Sequence, residues 1–462
     1  MPAARGHARA VAGYRAFVAA NTWYERVVPT FGTSLDLHAI DERAAQLMSA
    51  SVSAATARER RRQRRLANIV SDHALRELTF ALTDEVLRFD DRRRAGRRFA
   101  AIIDAVGVPR SLPLLDRWSL RIGAALAPRA PWPVMDLVRA RLLHEARGVV
   151  LPADDPGFAR HLAMRRAEGC RVNVNVLGEA ILSDAEADAR LAMIRERIAR
   201  ADVDYVSLKV SAICANLDVL AFAPSVDRIT DRLRVVYRDA MHSTSKAGPT
   251  FVNLDMEEFR DLELTIVSMQ RVLDEDEFTG LDAGIVLQAY LPDSHDAGER
   301  LATWARARRE RGGGRLKIRV VKGANLAMER VEAELHGWEQ APYPTKHDVD
   351  ASYKRLIERL LDPVWAGAVR VGIASHNLFD LAWALELRGD ERVRELVDLE
   401  MLEGMAPAQS RAVLAAAGDL LLYAPVVRKD DLPASIAYLT RRLDENTSAD
   451  RKEIPSRAIA LA

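Results

Sequence analysis

The stretch "YVSLKVSAI", residues 205–213, decides how this chain folds. Val206, Leu208 and Val210 alternate with Ser207, Lys209 and Ser211. That period of two puts one set of side chains on each face of a β-strand. Seven more runs share the texture: "RVNVNVLGE" (171–179), "TFVNLDMEE" (250–258), "AGIVLQAYL" (283–291), "LKIRVVKGA" (316–324), "VRVGIASHN" (369–377), "DLEMLEGMA" (398–406) and "LLLYAPVV" (420–427). Helical candidates fall between them at 184–200, 226–246, 296–311 and 348–361. Strands alternating with helices imply a parallel sheet, and eight such units predict an α/β chain folded as a (β/α)8 TIM-type barrel. A doubly wound open sheet is the alternative. Against it, no Gly-x-Gly-x-x-Gly turn opens any of these helices, and "RGGGR" (311–315) precedes a strand.

Working outward, residues 1–150 read as an N-terminal helical region, rich in Ala, Leu and Arg with 3.6-residue periodicity, as in "DHALRELTFALTDEVLRF" (72–89). Pro128, Pro131 and Pro133 mark a connection within it. The barrel is expected over 151–446 and a short tail over 447–462.

The bulk numbers narrow the function classes. The chain has 462 residues, 49% hydrophobic and 29% charged, enough to bury a large core. Its net charge of +1 supplies no global field for nucleic acid or anionic membrane. The runs "RERRRQRR" (58–65) and "DRRRAGRR" (91–98) read as solvated helix faces, so no nucleic-acid partner is expected. Cys170 and Cys214 are too few for a disulfide framework and lack metal-site spacing, so no metal is expected and a reducing cytoplasm fits best. The N-terminus has no secretory signal, and no apolar run reaches the ~18 residues that span a bilayer.

Alternation within the strands carries the chemistry. Asn173 and Asn175 oppose Val172, Val174 and Val176; Asn253 and Asp255 share a face with Phe251; Lys317 and Arg319 oppose Ile318 and Val320. Helices cover the outside of a barrel, so the polar sets are expected in the lumen, which this fold normally fills with branched apolar residues. Polar groups there are costly unless they pair or meet a ligand. Barrel enzymes keep their sites at the C-terminal strand ends. Those ends gather Glu179, Lys209, Asp255, Gln288, Arg319 with Lys322, Ser375, His376, Asn377 and Tyr423. The alternative is a self-satisfied buried polar network. After the eighth strand, "YLTRRLDENT" (438–447) puts Tyr438, Arg441, Arg442 and Glu445 on one helix face. Guanidinium forks match carboxylate oxygens two bonds at a time, so the arginine pair reads as a carboxylate clamp.

Taken together, "YVSLKVSA", "VNLDMEE", "LQAYLPD", "LKIRVVKGAN", "IASHN" and "YLTRRLDEN" resemble the proline dehydrogenase barrel of bacterial proline utilisation A proteins and of stand-alone proline dehydrogenases. The resemblance runs from about residue 170 to 447, and the N-terminal helices look like the arm and helical region that precede this barrel. It implies noncovalent FAD at the barrel mouth and oxidation of L-proline to pyrroline-5-carboxylate, with electrons passed to a quinone-type or membrane electron-transport acceptor. Lys209, Arg441 and Arg442 would hold the proline carboxylate, Asp255 would anchor that cluster, and Tyr423, Tyr438 and Leu402 would wall the ring. FAD would be contacted by Asp255, Gln288, Arg319, Lys322, Gly323, Ser375, His376, Asn377 and Glu445. The product would pass to a separate glutamate-semialdehyde dehydrogenase, since no second module is visible in the sequence. The resemblance also allows peripheral contact with the inner face of the cell membrane. Two departures stand out: Asn325 replaces an aromatic residue that many members carry after "VKGA", and the 424–437 segment is longer. Two other chemistries remain open. One is a flavin barrel acting on a related secondary amino acid; the other is a Schiff-base aldolase using Lys209 or Lys322.

Overall fold

Eight parallel strands close on themselves in the computed structural model, which describes residues 36–61, 72–86, 89, 91–146, 150–154, 156–177, 181–245 and 248–428. In chain order they are β1 (Cys170–Val176), β2 (Tyr205–Leu208), β3 (Phe251–Leu254), β4 (Ala283–Gln288), β5 (Leu316–Val321), β6 (Val369–Ala374), β7 (Val397–Leu402) and β8 (Leu420–Val427). Each neighbours the next, and β8 neighbours both β7 and β1, so the expected barrel is closed. Registers such as Ser207↔Asn253, Asn253↔Gly284 and Gly284↔Lys317 put paired side chains on the same face.

The strands end sooner than their sequence alternation suggests. In β2 the ladder stops at Leu208, whose carbonyl accepts from the Asp255 N–H at 2.7 Å. Residues Val210–Ile213 then form a helical turn, with Ala212 N–H on the Lys209 carbonyl and Cys214 N–H on that of Val210. The alternation through Val210 and Ser211 is therefore not a strand. Its physical meaning is a bend that leaves Lys209 at the barrel rim.

The crossover helices begin where short polar side chains satisfy free N–H groups. Ser183 caps Asp184–Ile198, Thr345 caps Lys346–Leu360 and Asn377 caps Leu378–Leu387. Two further crossover helices, Phe222–Met241 and Asp293–Glu310, each start a few residues before their expected positions. Leu326–His336 ends at Gly337 in the left-handed region, where glycine has no side chain to clash.

The described chain divides into two compact units: residues 36–54 with Ala159–Ala424, and Ala55–Phe158 with 425–428. The helix Leu37–Ala54 groups with the barrel, where Arg43 Nε donates to Glu386 Oε1 at 2.9 Å and Arg411 Nη2 donates to the Ala54 carbonyl at 2.8 Å. The second unit is built from the helices His73–Glu85, Arg92–Val106, Leu114–Leu126 and Pro131–Ala146. Its core includes Leu78, Leu82, Phe99, Ile102 and Met135. The proline cluster marks the tight turn between the last two of these helices. Arginines of the 91–98 run are engaged locally: Arg92 pairs with Asp136 at 3.1 Å, and Arg94 lies 4.5 Å from the Phe89 ring centre. Also within this unit, Leu151 and Pro152 pair with Val426 and Val427. Among the described residues no helix is long and apolar enough to cross a membrane.

Candidate active site

The lumen is polar, as the alternation implied, and its groups are joined. Asn173 and Asn253 both donate to Ser207 Oγ, at 2.9 and 3.2 Å. Asn253 also donates to Asp255 Oδ1 at 3.0 Å, while Asn175 reaches Asp255 Oδ2 at 3.3 Å and the Tyr423 hydroxyl. Tyr423 in turn donates to Asp255 Oδ2 at 2.6 Å. Burial pushes the Asp255 carboxyl above its usual range, against the pull of Arg319 and the Tyr423 hydrogen bond.

A second chain of groups crosses from β5 to β7. Lys317 Nζ sits 2.8 Å from Asp398 Oδ2 and 2.6 Å from Glu400 Oε1. Arg319 Nε donates to Glu400 Oε2 at 2.6 Å, and its guanidinium lies 4.7 Å from the Tyr423 ring centre. Burial opposes the charge on Arg319, but Glu400 and Asp255 outweigh it and its pKa is raised. Burial likewise opposes ionisation of Asp398, yet Lys317, Arg171 and Arg370 hold it well below the usual carboxylate range. Two lumen-facing glycines make this crowding feasible. A Cβ on Gly284 would stand 2.6 Å from Asn253 Oδ1, and one on Gly372 would collide with Glu400 Oε1.

The rim carries the remaining residues singled out from the sequence. Lys209 pairs with Glu257 beyond β3. Lys322 Nζ bridges Asp350 Oδ1 at 2.6 Å and Asp380 Oδ2 at 2.7 Å; burial opposes its charge, but the two carboxylates raise its pKa. Gly323 has φ +126, and a Cβ there would collide with the Tyr290 ring, so the turn requires glycine. Ser375 donates to Asp380 Oδ2 at 3.0 Å and accepts from the Asn377 N–H, while Asn377 caps the next helix through Phe379 N–H. Both side chains thus shape the turn around His376. The ring of His376 accepts at Nε2 from the Leu402 N–H at 2.8 Å. Asn325 precedes the helix Leu326–His336 without a side-chain cap bond.

Among the described residues, two buried atoms at the ends of β4 and β6 lack a hydrogen-bond partner, as Asn173 Oδ1 and Asn253 Oδ1 do on β1 and β3. Gln288 donates through Nε2 to the Glu257 carbonyl at 3.2 Å, but its Oε1 has no hydrogen-bond partner among the described residues, and neither has His376 Nδ1. They lie at the ends of β4 and β6, on either side of β5 and Arg319. Unsatisfied buried polar atoms at a barrel mouth point to a ligand with both donors and acceptors.

Lys209, Asp255, Gln288, Arg319, Lys322, Gly323, Ser375, His376, Asn377, Leu402 and Tyr423 therefore gather at one end of the barrel. Glu179, Tyr438, Arg441, Arg442 and Glu445 lie outside the described residues. Sequence reasoning missed the counter-ions Asp350, Asp380, Asp398 and Glu400. The last two carried a signal, since acids at i and i+2 in "DLEML" share a strand face.

The family model described as proline dehydrogenase matches residues 158–453. The bifunctional protein PutA of Klebsiella aerogenes is 28% identical over 300 residues, which cover 60% of this chain and 22% of that protein. This chain thus spans about a fifth of that relative's length. The hydroxyproline dehydrogenase of Rattus norvegicus is 35% identical over 118 residues, 25% of each chain. Among solved structures, proline utilization A from Corynebacterium freiburgense matches with a TM-score of 0.63 and 44% identity, over 73% of this chain and 34% of that one.

Proposed function

Because the chain belongs to the proline dehydrogenase family, we propose that it oxidises L-proline to pyrroline-5-carboxylate, with FAD held at the C-terminal mouth of the barrel. The observation that carries the reading is the orphaned acceptor Gln288 Oε1 and the orphaned donor His376 Nδ1 flanking Arg319. The edge of a flavin ring alternates N–H and C=O groups and suits both. Gln288, Arg319, Lys322 and His376 would hold it, with Gly323, Ser375 and Asn377 shaping the turns beneath. When bound, the flavin supplies the two-electron acceptor for the hydride that leaves the ring carbon beside the proline nitrogen.

The chain's own groups do the rest. Lys209 holds the substrate carboxylate together with Arg441 and Arg442. Leu402 and Tyr423 wall the pyrrolidine ring, and Tyr438 completes the wall. Asp255, tied to Tyr423, Asn175 and Asn253, offsets the local positive charge. As the C–H bond breaks, the ring nitrogen gives up its proton and the C=N bond forms. Electrons then pass to a quinone-type acceptor, with peripheral contact at the inner face of the membrane, and the product passes to a separate glutamate-semialdehyde dehydrogenase.

The test is an absorption spectrum of the purified protein before and after addition of L-proline. Visible flavin bands that bleach with proline support the reading; a colourless protein, or bands indifferent to proline, sinks it. The similarity to hydroxyproline dehydrogenase motivates a second reading, oxidation of a hydroxylated proline, decided by kcat/KM for the two substrates side by side. The Schiff-base chemistry needs a neutral amine. Lys322, pinned as a cation between Asp350 and Asp380, is unsuited to it.

A further inference from the structure

We propose that Glu400 is a positioning residue: it holds Arg319 at the barrel mouth and, with Lys317, sets how much positive charge the flavin meets. This rests on the flavin site proposed at the ends of β4, β5 and β6.

Glu400 is 0% exposed, in the middle of β7. Its two carboxylate oxygens do different jobs. Oε1 faces Lys317 Nζ and Oε2 faces Arg319 Nε, each at 2.6 Å. A glutamine could offer an oxygen to one of these cations only, and would turn an amide N–H towards the other. The demand is for a carboxylate. Among the described residues, the carboxylate paired with Arg319 is that of Glu400, whereas Asp398 is shared by Lys317, Arg171 and Arg370.

The surroundings are built to receive this group. Gly372 lies between Arg319 and Asp398 in the register, and any side chain there would collide with Glu400 Oε1. With Nε committed to Glu400 and the guanidinium resting over Tyr423, Arg319 has little freedom to turn. A fixed cation at the mouth favours uptake of negative charge by an adjoining ring, and its effect is strong in a dry site. Glu400 moderates that effect and Lys317 moderates Glu400. A buried ion pair is by itself weak evidence for stability, so a role in charge placement has to be separated from a role in folding.

The experiment is a redox titration of the flavin bound to wild type, Glu400→Gln and Lys317→Met. Removing the acid should make two-electron uptake easier and removing the lysine should make it harder. Each shift is expected to reach at least a tenfold change in the uptake equilibrium, about 30 mV for a two-electron couple. The double variant should return to the wild-type side of both shifts. Lys317→Met leaves Glu400 paired with Arg319 and Asp398 paired with two arginines, so it carries the test if Glu400→Gln does not fold. A purely structural role predicts lower Tm in both variants with unmoved potentials, or shifts of the same sign. Either result overturns the proposal. If wild type holds no flavin, or its flavin is indifferent to proline, the function proposed above fails instead.

Discussion

The backbone N–H of Leu402 donates a 2.8 Å hydrogen bond to Nε2 of His376. A ring nitrogen that accepts carries no proton, so the imidazole proton sits on Nδ1. Burial pushes the His376 pKa down to about 4, which keeps the ring neutral and the Nδ1–H free to donate. One bond thus couples a residue proposed to face the flavin with one proposed to wall the substrate.

That pKa has a consequence for stability. Unfolded His376 binds its proton near 6.5 and the folded residue near 4. Between those values the unfolded chain holds more protons, so this group makes stability fall as the pH drops through the window. His376→Asn removes the effect. Thermal denaturation should show the variant gaining on wild type as the pH is lowered from 6.5 to 4; a difference that stays constant would place the acid sensitivity elsewhere.

Two glycines in the left-handed half of backbone space separate strain from collision. Gly337, with φ +65, has open space around the position of a Cβ, so Gly337→Ala should cost about 1–2 kcal/mol of backbone strain. Gly323 adds a collision of the Cβ with the Tyr290 ring to its φ of +126. Gly323→Ala should therefore cost more in urea titrations and also weaken flavin retention, which Gly337→Ala should leave intact. Equal effects would mean that the Gly323 turn does not support the cofactor.

Lys322 spans two acids on different helices, Asp350 and Asp380, and Asp380 is 3% exposed. Asp380→Asn keeps the shape and removes one charge while Lys322 keeps Asp350. The loss should be about 1.5–3 kcal/mol, the worth of a hydrogen bond to a charged group, read as a lower urea midpoint with unchanged slope. An unchanged midpoint would show that Asp350 alone suffices.

The barrel was legible because its signal is local. A period of two, repeated eight times with helices between, cannot be confused with a helical bundle. The strand ends were not legible: Val210 and Ser211 continue the alternation of β2, yet the ladder stops where the Leu208 carbonyl meets Asp255. Cations at the mouth stood out as polar residues on strands. Their counter-ions did not, because Asp350 and Asp380 lie on helices 28 and 58 residues away from Lys322, and helix acids read as solvated surface. Gly372 was silent for another reason, since a glycine that clears space for Glu400 looks like any other in a strand.

Lys209 tests the substrate reading without disturbing the flavin. It stands where β2 bends into the Val210–Ile213 turn, with its ammonium on Glu257 and its side chain 19% exposed. If it holds the proline carboxylate, Lys209→Met should lose one charge-assisted hydrogen bond, about 1.5–3 kcal/mol. That corresponds to roughly a ten- to hundredfold fall in kcat/KM for proline. Pyrrolidine has no carboxylate, so it should be a poor substrate of wild type and should lose little further activity in the variant. Arg442→Met should behave in the same way, and lysine at 442 should not rescue it fully, because a point charge does not reproduce the planar fork. The comparison of substrates is what decides. A variant equally impaired on both substrates has lost flavin geometry or fold rather than a carboxylate contact. A variant impaired on neither leaves Lys209 as the partner of Glu257 alone.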